Sequence, residues 1–216
     1  MNVEQRYRFI YKPVVFVASL VPLAWLACAA FNLFDQSLGA DPVKKLEHFC
    51  GKTALNFLML TLLVTPVRNL AGLPHLPRIR RMLGLFAFFY VVVHFTLYVV
   101  LDQELNLRSI LADIAKRPYI TVGFTALLML IPLAVTSTNR MMRRLGRRWQ
   151  KLHRLVYVIA VLGVWHYWWQ VKRDIREPLI YVAILAGLLG YRYVRSVRSA
   201  RRVTSTSAPA TTPERS

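Results

Sequence analysis

The chain has few cysteines and few acidic residues. Only two of its 216 residues are cysteines, Cys28 and Cys50, and they do not form a Cys-x-x-Cys motif. This excludes an iron–sulfur or zinc signature and a disulfide framework. Ten acidic residues stand against 29 Lys and Arg, which gives a net charge of +19. We expect no nucleic-acid partner, because the basic residues cluster between long apolar runs, as in the cytoplasmic loops of membrane proteins.

Long polar loops are also missing. Hydrophobic residues make up 56% of the chain, and a membrane-crossing helix needs about 20 mostly apolar residues. Every loop is shorter than about 20 residues, which leaves no room for a nucleotide-binding fold. The sequence therefore predicts an all-α integral membrane protein that lies in a lipid bilayer. Its six predicted transmembrane helices are residues 13–33, 49–67, 83–101, 119–135, 152–169 and 179–197.

The basic residues predict the orientation of these helices. Counted on alternate sides of the membrane, 20 of the Lys and Arg residues lie on one side and nine on the other. Cytoplasmic loops carry the excess of Lys and Arg, so both termini are predicted to be cytoplasmic. Residues 1–202 form the predicted transmembrane domain. Residues 203–216 are rich in Ser, Thr and Pro and are predicted to be a disordered cytoplasmic tail.

Two prolines, Pro22 and Pro132, lie inside predicted spans. A proline within a transmembrane helix removes a backbone hydrogen bond, and neighbouring helices must then supply partners for the freed groups. We expect both helices to be kinked and to be supported from outside at these positions.

Three histidines lie inside or at the ends of apolar stretches: His94, His153 and His166. A polar ring in hydrocarbon is costly, so each is a candidate functional residue. His94 lies about 17 Å along the third predicted span, in the outer half of the membrane and near the depth of His166. Two imidazoles at matched depth on facing helices suit the two axial positions of a heme iron. We therefore predict a heme between helices 3 and 5, with His94 and His166 as iron ligands.

His153 is the candidate ligand of an inner cofactor. It precedes His166 by 13 residues on the same predicted helix, so it lies about 20 Å deeper and about 220° around the axis. No second buried histidine lies at its depth, but His75, in the second loop, could fold back to it. Arg80 and Arg81 could pair with a heme propionate or with the head group of a quinone or flavin phosphate. A purely interfacial hydrogen-bonding role explains His153 equally well, and a solvent-exposed loop position explains His75.

Three segments resemble a known membrane family. Residues 136–169, TSTNRMMRRLGRRWQKLHRLVYVIAVLGVWHYWW, resemble the ferric-reductase-like transmembrane superfamily, in which a Trp precedes one histidine and a second histidine follows about 13 residues later. The segments KRPYITVG (residues 116–123) and RRMLGL (residues 80–85) are similar to one branch. That branch comprises the heme-binding membrane subunits of bacterial periplasmic methionine sulfoxide reductase systems.

The resemblance implies b-type heme between the third and fifth helices, with one or two hemes held by His94, His153 and His166. Larger relatives have a second histidine on the third helix, where this chain has Arg80, and they append a cytosolic flavin and nicotinamide domain. The resemblance further implies that electrons come from the quinone pool or from a separate cytosolic flavin reductase. It also implies an FMN cofactor and a multi-pass location in the bacterial inner membrane.

The leading interpretation is an electron conduit. Electrons pass outward to a periplasmic molybdopterin-containing catalytic subunit, which reduces methionine sulfoxide in oxidised proteins, so no catalytic residue is assigned to this chain. Two alternatives remain: a stand-alone transmembrane ferric or oxygen reductase, and a proton or metal transporter with histidine relays. The transporter is disfavoured because Asp102, Glu104 and Asp113 are predicted in loops, with no carboxylate beside the histidines in the membrane.

Overall fold

The computed structural model describes residues 3–31, 39–72, 76–171 and 174–206. These residues form helices joined by short turns, with no strand among them. Two π-helical turns, Tyr7–Tyr11 and Tyr98–Asp102, precede the second α-helix and follow the fourth. The α-helices in chain order are α1 (Val3–Arg6), α2 (Lys12–Ala30), α3 (Pro42–Ala71), α4 (Leu76–Leu97), α5 (Leu107–Lys116), α6 (Pro118–Val135), α7 (Asn139–Leu145), α8 (Arg147–Leu152), α9 (Leu155–Gln170) and α10 (Arg176–Thr206).

Several of these helices are long and apolar enough to cross a membrane. Within the described ranges they are Tyr7–Ala30, Pro42–Ala71, Leu76–Asp102, Pro118–Val135 and Arg176–Arg198. The remaining predicted span contains α9, which has 16 residues and no Asp, Glu, Lys or Arg. At 1.5 Å per residue α9 is about 24 Å long. The chain is therefore an all-α, multi-pass membrane protein.

The start of α3 differs from the predicted second span. Asp41 caps the helix by accepting a hydrogen bond from the backbone N–H of Lys44 at 3.2 Å, and Pro42 occupies the first turn. Hydrogen bonding to Lys44 also lowers the pKa of the Asp41 carboxyl. Because this cap lies well before residue 49, α3 has 30 residues, and Glu47 lies within it.

The partner expected at Pro22 is Tyr90 of α4. Tyr90 is fully buried, and its hydroxyl reaches the turn of α2 that Pro22 interrupts. The hydroxyl donates to the carbonyl of Ser19 at 2.7 Å and accepts from the backbone N–H of Leu23 at 3.1 Å. A buried phenol hydroxyl needs such partners, so this contact joins α2 to α4.

The central helices form a four-helix arrangement. α3 and α6 each contact both α4 and α9, so α4 and α9 face each other with α3 and α6 on either side. α10 packs against α3 and α9, and α2 packs against α3 and α4. Buried side chains of the four central helices fill the interior, among them Leu58, Leu62, Phe86, Tyr90, Leu130, Ile159, Ala160 and Val164.

Two further predictions differ from the structure. The predicted fifth span was one continuous helix, but α8 ends at Leu152 and α9 begins at Leu155, so His153 lies in a turn between them. α10 continues to Thr206, past the predicted start of the tail at residue 203. The rest of the predicted tail lies outside the described residues.

Candidate functional site

His94 of α4 and His166 of α9 meet between these helices, as the depth argument predicted. Their ring centroids are 6.2 Å apart, and the ring planes are inclined by 73°. Both side chains are partly exposed, although the surrounding helices pack against one another. The structure thus brings the two leading candidate residues together as a pair.

Each imidazole is fixed by a backbone carbonyl of a flanking helix. His94 Nδ1 lies 2.9 Å from the carbonyl oxygen of Glu47 in α3, and His166 Nδ1 lies 2.7 Å from that of Tyr119 in α6. A carbonyl oxygen can only accept, so Nδ1 carries the proton in both rings. Nε2 is then unprotonated and can bind a metal. A ligating histidine in proteins usually has this arrangement, with its other ring nitrogen donating to a carbonyl or carboxylate.

Glycines allow the flanking helices to approach the rings. A Cβ atom on Gly123 of α6 would lie 2.7 Å from His166 Nδ1, closer than real Cβ contacts. A Cβ atom on Gly51 of α3 would lie 3.4 Å from the ring of His94. In both helices the glycine follows the hydrogen-bonding carbonyl by four residues, so it lies one turn further along the same face. The carbonyls and glycines of the two helices are thus spaced alike, but only at Gly123 does the ring leave no room for a Cβ atom.

The pair suits the axial positions of a heme. Two imidazoles bound on opposite sides of one metal at about 2 Å have ring centres about 6 Å apart, close to the observed separation. The described residues contain no cluster of three or more His, Cys, Asp or Glu side chains that could hold a metal ion. Two imidazoles alone leave most coordination positions of a metal ion empty. A porphyrin would supply the four remaining nitrogen ligands.

The residue whose backbone carbonyl holds His94, Glu47, also carries a buried carboxyl group. Glu47 is 7% exposed, and its Oε1 has no hydrogen-bond partner among the described residues. Sequence reasoning missed it because the predicted span began two residues later. Its established contact with the pair is through its backbone carbonyl.

At the other end of the bundle, His153 is packed against Trp149. The two rings stack with centroids 3.8 Å apart, and His153 Nδ1 lies 3.1 Å from the Trp149 carbonyl oxygen. His153 Nε2 lies 3.5 Å from the hydroxyl of Ser137. The indole N–H of Trp149 donates to the carbonyl of Thr136 at 3.0 Å. Both rings are therefore anchored to the turn that follows α6.

His153 borders a cavity of about 1130 Å³. The cavity has a basic wall and no acidic side chain among its lining residues. Arg81 donates to the side chain of Asn139 and to the sulfur of Met142, at 3.1 Å for the latter. The half-buried Arg80 makes no hydrogen bond or ion pair within the described part of the chain. The six cationic lining residues are Arg8, Lys12, Arg78, Arg80, Arg81 and Arg154.

The predicted site residues therefore fall into two groups. His94 and His166 form one, and His153 with Arg80 and Arg81 forms the other around the cavity. His75 lies outside the described residues, so its predicted return to His153 stays a prediction. Among the described histidines, none stands opposite His153 in the cavity wall.

Several residues that support the two groups were not predicted. The carbonyls of Glu47 and Tyr119 have no sequence signature, because every residue carries a carbonyl. The glycines Gly51 and Gly123 could have been noticed, since a glycine inside a helical pattern points to close packing or function.

Comparisons with known proteins identify the family of the chain. The family described as "Ferric reductase like transmembrane component" matches residues 50–164, which include His94 and His153. A protein of Xanthomonas euvesicatoria pv. vesicatoria (strain 85-10) is 50% identical over 93% of this chain and 94% of its own length. One of Xanthomonas campestris pv. campestris (strain 8004) is 51% identical over 92% of each chain. One of Herminiimonas arsenicoxydans is 50% identical over 83% of each.

All three relatives are named "Protein-methionine-sulfoxide reductase heme-binding subunit MsrQ". The family match covers more than half of the chain, and the relatives align over most of it at about half identity. The chain therefore belongs to the ferric reductase like transmembrane family, as a homologue of the MsrQ heme-binding subunits.

Proposed function

We propose that this chain is a heme b electron-transfer subunit of a methionine sulfoxide reductase system, with the heme between α4 and α9. The observation that carries the proposal is the His94–His166 pair. Its centroid separation of 6.2 Å matches two imidazoles on one iron, and both Nδ1 atoms are engaged by backbone carbonyls. The names of the relatives agree with this cofactor.

When bound, the heme supplies a one-electron redox centre, and the residues of this chain decide what that centre can do. His94 and His166 would hold the iron from both sides, and an iron without an open position would suit electron transfer and disfavour oxygen binding. The carbonyls of Glu47 and Tyr119 hold the rings in one tautomer and one orientation. Little rearrangement of the rings is then needed when the iron changes its charge.

We further propose six transmembrane helices with both termini in the cytoplasm of a bacterial inner membrane. The sixth crossing is α9, whose length of about 24 Å is short for a bilayer core of about 30 Å. Its contacts with α3, α6 and α10 support it inside the bundle. The distribution of Lys and Arg supports a position of the His94–His166 pair near the periplasmic side.

The proposed acceptor is a periplasmic molybdopterin-containing subunit that repairs oxidised methionine in proteins. Within the described residues the helices are joined by short connections with no loop domain among them, which supports this division of roles. The reduction of the sulfoxide therefore belongs to the partner, and this chain acts as the redox subunit.

The basic cavity beside His153 is the proposed site of a second cofactor near the cytoplasmic side. A volume of about 1130 Å³ lies slightly above the roughly 300–1,000 Å³ of typical ligand pockets, so the cavity is large enough for a cofactor. Arg80 has no partner among the described residues, which favours an anionic group. FMN, through its phosphate, and a second heme, through its propionates, meet both requirements, whereas a quinone head group is neutral and would only accept a hydrogen bond from Arg80. The quinone pool or a cytosolic flavin reductase would supply the electrons.

Exchange of either histidine tests the heme assignment. We expect His94→Ala and His166→Ala each to abolish the low-spin heme absorbance of the purified protein, because one imidazole cannot hold the iron in both axial positions. Dithionite-reduced minus oxidised spectra of protein in lipid nanodiscs measure the effect. Thr96→Ala is the control, since the exposed Thr96 lies on the same helix as His94 and its hydroxyl bonds the carbonyl of Val92 in its own helix at 2.9 Å. Wild-type spectra in both test variants would refute the ligand assignment.

Gly123→Ala tests the close approach of α6 to His166. The added methyl group would clash with the ring at 2.7 Å, so we expect loss of most of the low-spin heme while the protein remains helical by circular dichroism. Gly163→Ala on α9 is the matched control, because its methyl group would meet Leu55 at an ordinary 3.5 Å. Equal heme content in the two variants would show that the ring does not depend on this glycine.

Arg80→Ala tests the anionic ligand of the inner cavity. Loss of a charged hydrogen bond costs about 1.5–3 kcal/mol, so we expect FMN to bind at least about tenfold more weakly. Flavin fluorescence titration of the purified chain measures this affinity. Arg195→Ala is the control, because Arg195 is exposed and bonds only Tyr191 at 3.4 Å. No binding of FMN by the wild-type chain, or unchanged affinity in Arg80→Ala, would contradict FMN as the occupant.

A further inference from the structure

The short helix α5 carries exposed leucines that no described part of the chain covers. Leu107 is 73% exposed and Leu111 is 67% exposed, and they lie one turn apart on the same face. Leu105, in the turn before the helix, is 64% exposed. Arg108 and Lys116 lie about 100° and 180° around the helix from Leu107. α5 therefore has separate apolar and basic faces.

α5 is firmly attached to the bundle by a third face. Ile110 is 6% exposed. The carboxylate of Asp113 accepts a hydrogen bond from the hydroxyl of Tyr98 at 3.3 Å and pairs with Arg117 Nε at 3.1 Å. Asn106 caps the helix by accepting from the backbone N–H of Ser109 at 3.2 Å. These contacts attach α5 to the bundle and leave the leucines exposed.

The flanking helices confine α5 to one membrane surface. The segment Leu76–Asp102 ends four residues before Asn106, and α6 begins at Pro118, directly after Arg117. Glu104 and Leu105 have φ values of 48° and 61°, so the chain reverses tightly as it leaves the membrane. The neighbouring Val100 and Leu101 are also exposed, which makes the apolar face of α5 continuous with the end of a membrane-crossing segment.

We propose that α5 is an interfacial helix that binds the lipid bilayer at the end of the bundle carrying His94 and His166. Leu105, Leu107 and Leu111 insert among the acyl chains, and Arg108 and Lys116 face the lipid headgroups, as in other amphipathic surface helices. This proposal depends on the membrane-crossing helices and not on the heme.

Anchoring α5 in lipid has a consequence for the histidine pair. Tyr98 lies one turn beyond His94 in the same helical segment, and Arg117 lies two residues before Tyr119, whose carbonyl holds His166. Asp113 bonds to both Tyr98 and Arg117. The lipid-bound helix therefore braces the ends of two segments that position the pair.

The test compares two probe positions on α5. Leu111→Cys and, as the matched control, Arg108→Cys are made in a Cys28→Ala background, labelled with bimane and reconstituted in phosphatidylcholine–phosphatidylglycerol vesicles without a partner. The fully buried Cys50 is left in place, and labelling of the background alone gives its contribution. Circular dichroism confirms folding independently of any cofactor.

We expect nitroxide-labelled lipid to quench the probe at position 111 strongly. Aqueous iodide should quench it at least about threefold less than the probe at position 108. Equal quenching of the two probes by iodide would overturn the proposal, because the leucine face would then be open to water, as a docking surface for a soluble protein requires.

Discussion

The Nδ1 protons of His94 and His166 are donated to backbone carbonyls of α3 and α6, and the packing of the four central helices is organised around these two bonds. Each bond requires a flanking helix to come within hydrogen-bond distance of a ring. The approach of α6 leaves no room for a side chain at Gly123. The position of the His166 ring and the glycine at position 123 therefore both follow from the close approach of α6.

Contacts that lie away from the histidine pair also stabilise this arrangement of the helices. The cap at Asp41 extends α3 far enough for the carbonyl of Glu47 to reach His94. Tyr90 fastens α4 to α2 at Pro22, and Asp113 fastens the far end of the same segment to the start of α6. These hydrogen bonds and this ion pair are directional, so each of them requires a particular orientation of the segments that it joins. The apolar side chains between the helices supply the remaining stability.

Sequence periodicity and composition could predict the helices and the main histidine pair, because an imidazole in hydrocarbon is costly and depth follows from residue count. The break at His153 was not predicted, because the fifth span was assumed to be one continuous helix from residue 152, whereas in the structure His153 lies in a turn and stacks on Trp149. The predicted second span did not include Glu47, because its start was chosen from hydropathy and not from the helix cap at Asp41. The leucine face of α5 was missed because a helix of ten residues is too short to be sought as a span.

The central claim is that one iron is held by two imidazoles whose planes are far from parallel. Electron paramagnetic resonance of the oxidised, purified protein tests it directly, because the low-spin ferric signal depends on the angle between the two ligand planes. With planes inclined by 73°, we expect a strongly anisotropic low-spin signal that disappears when either histidine is replaced by alanine. A purely high-spin heme signal in the folded wild-type protein, or no heme signal after heme has been supplied, would contradict the account.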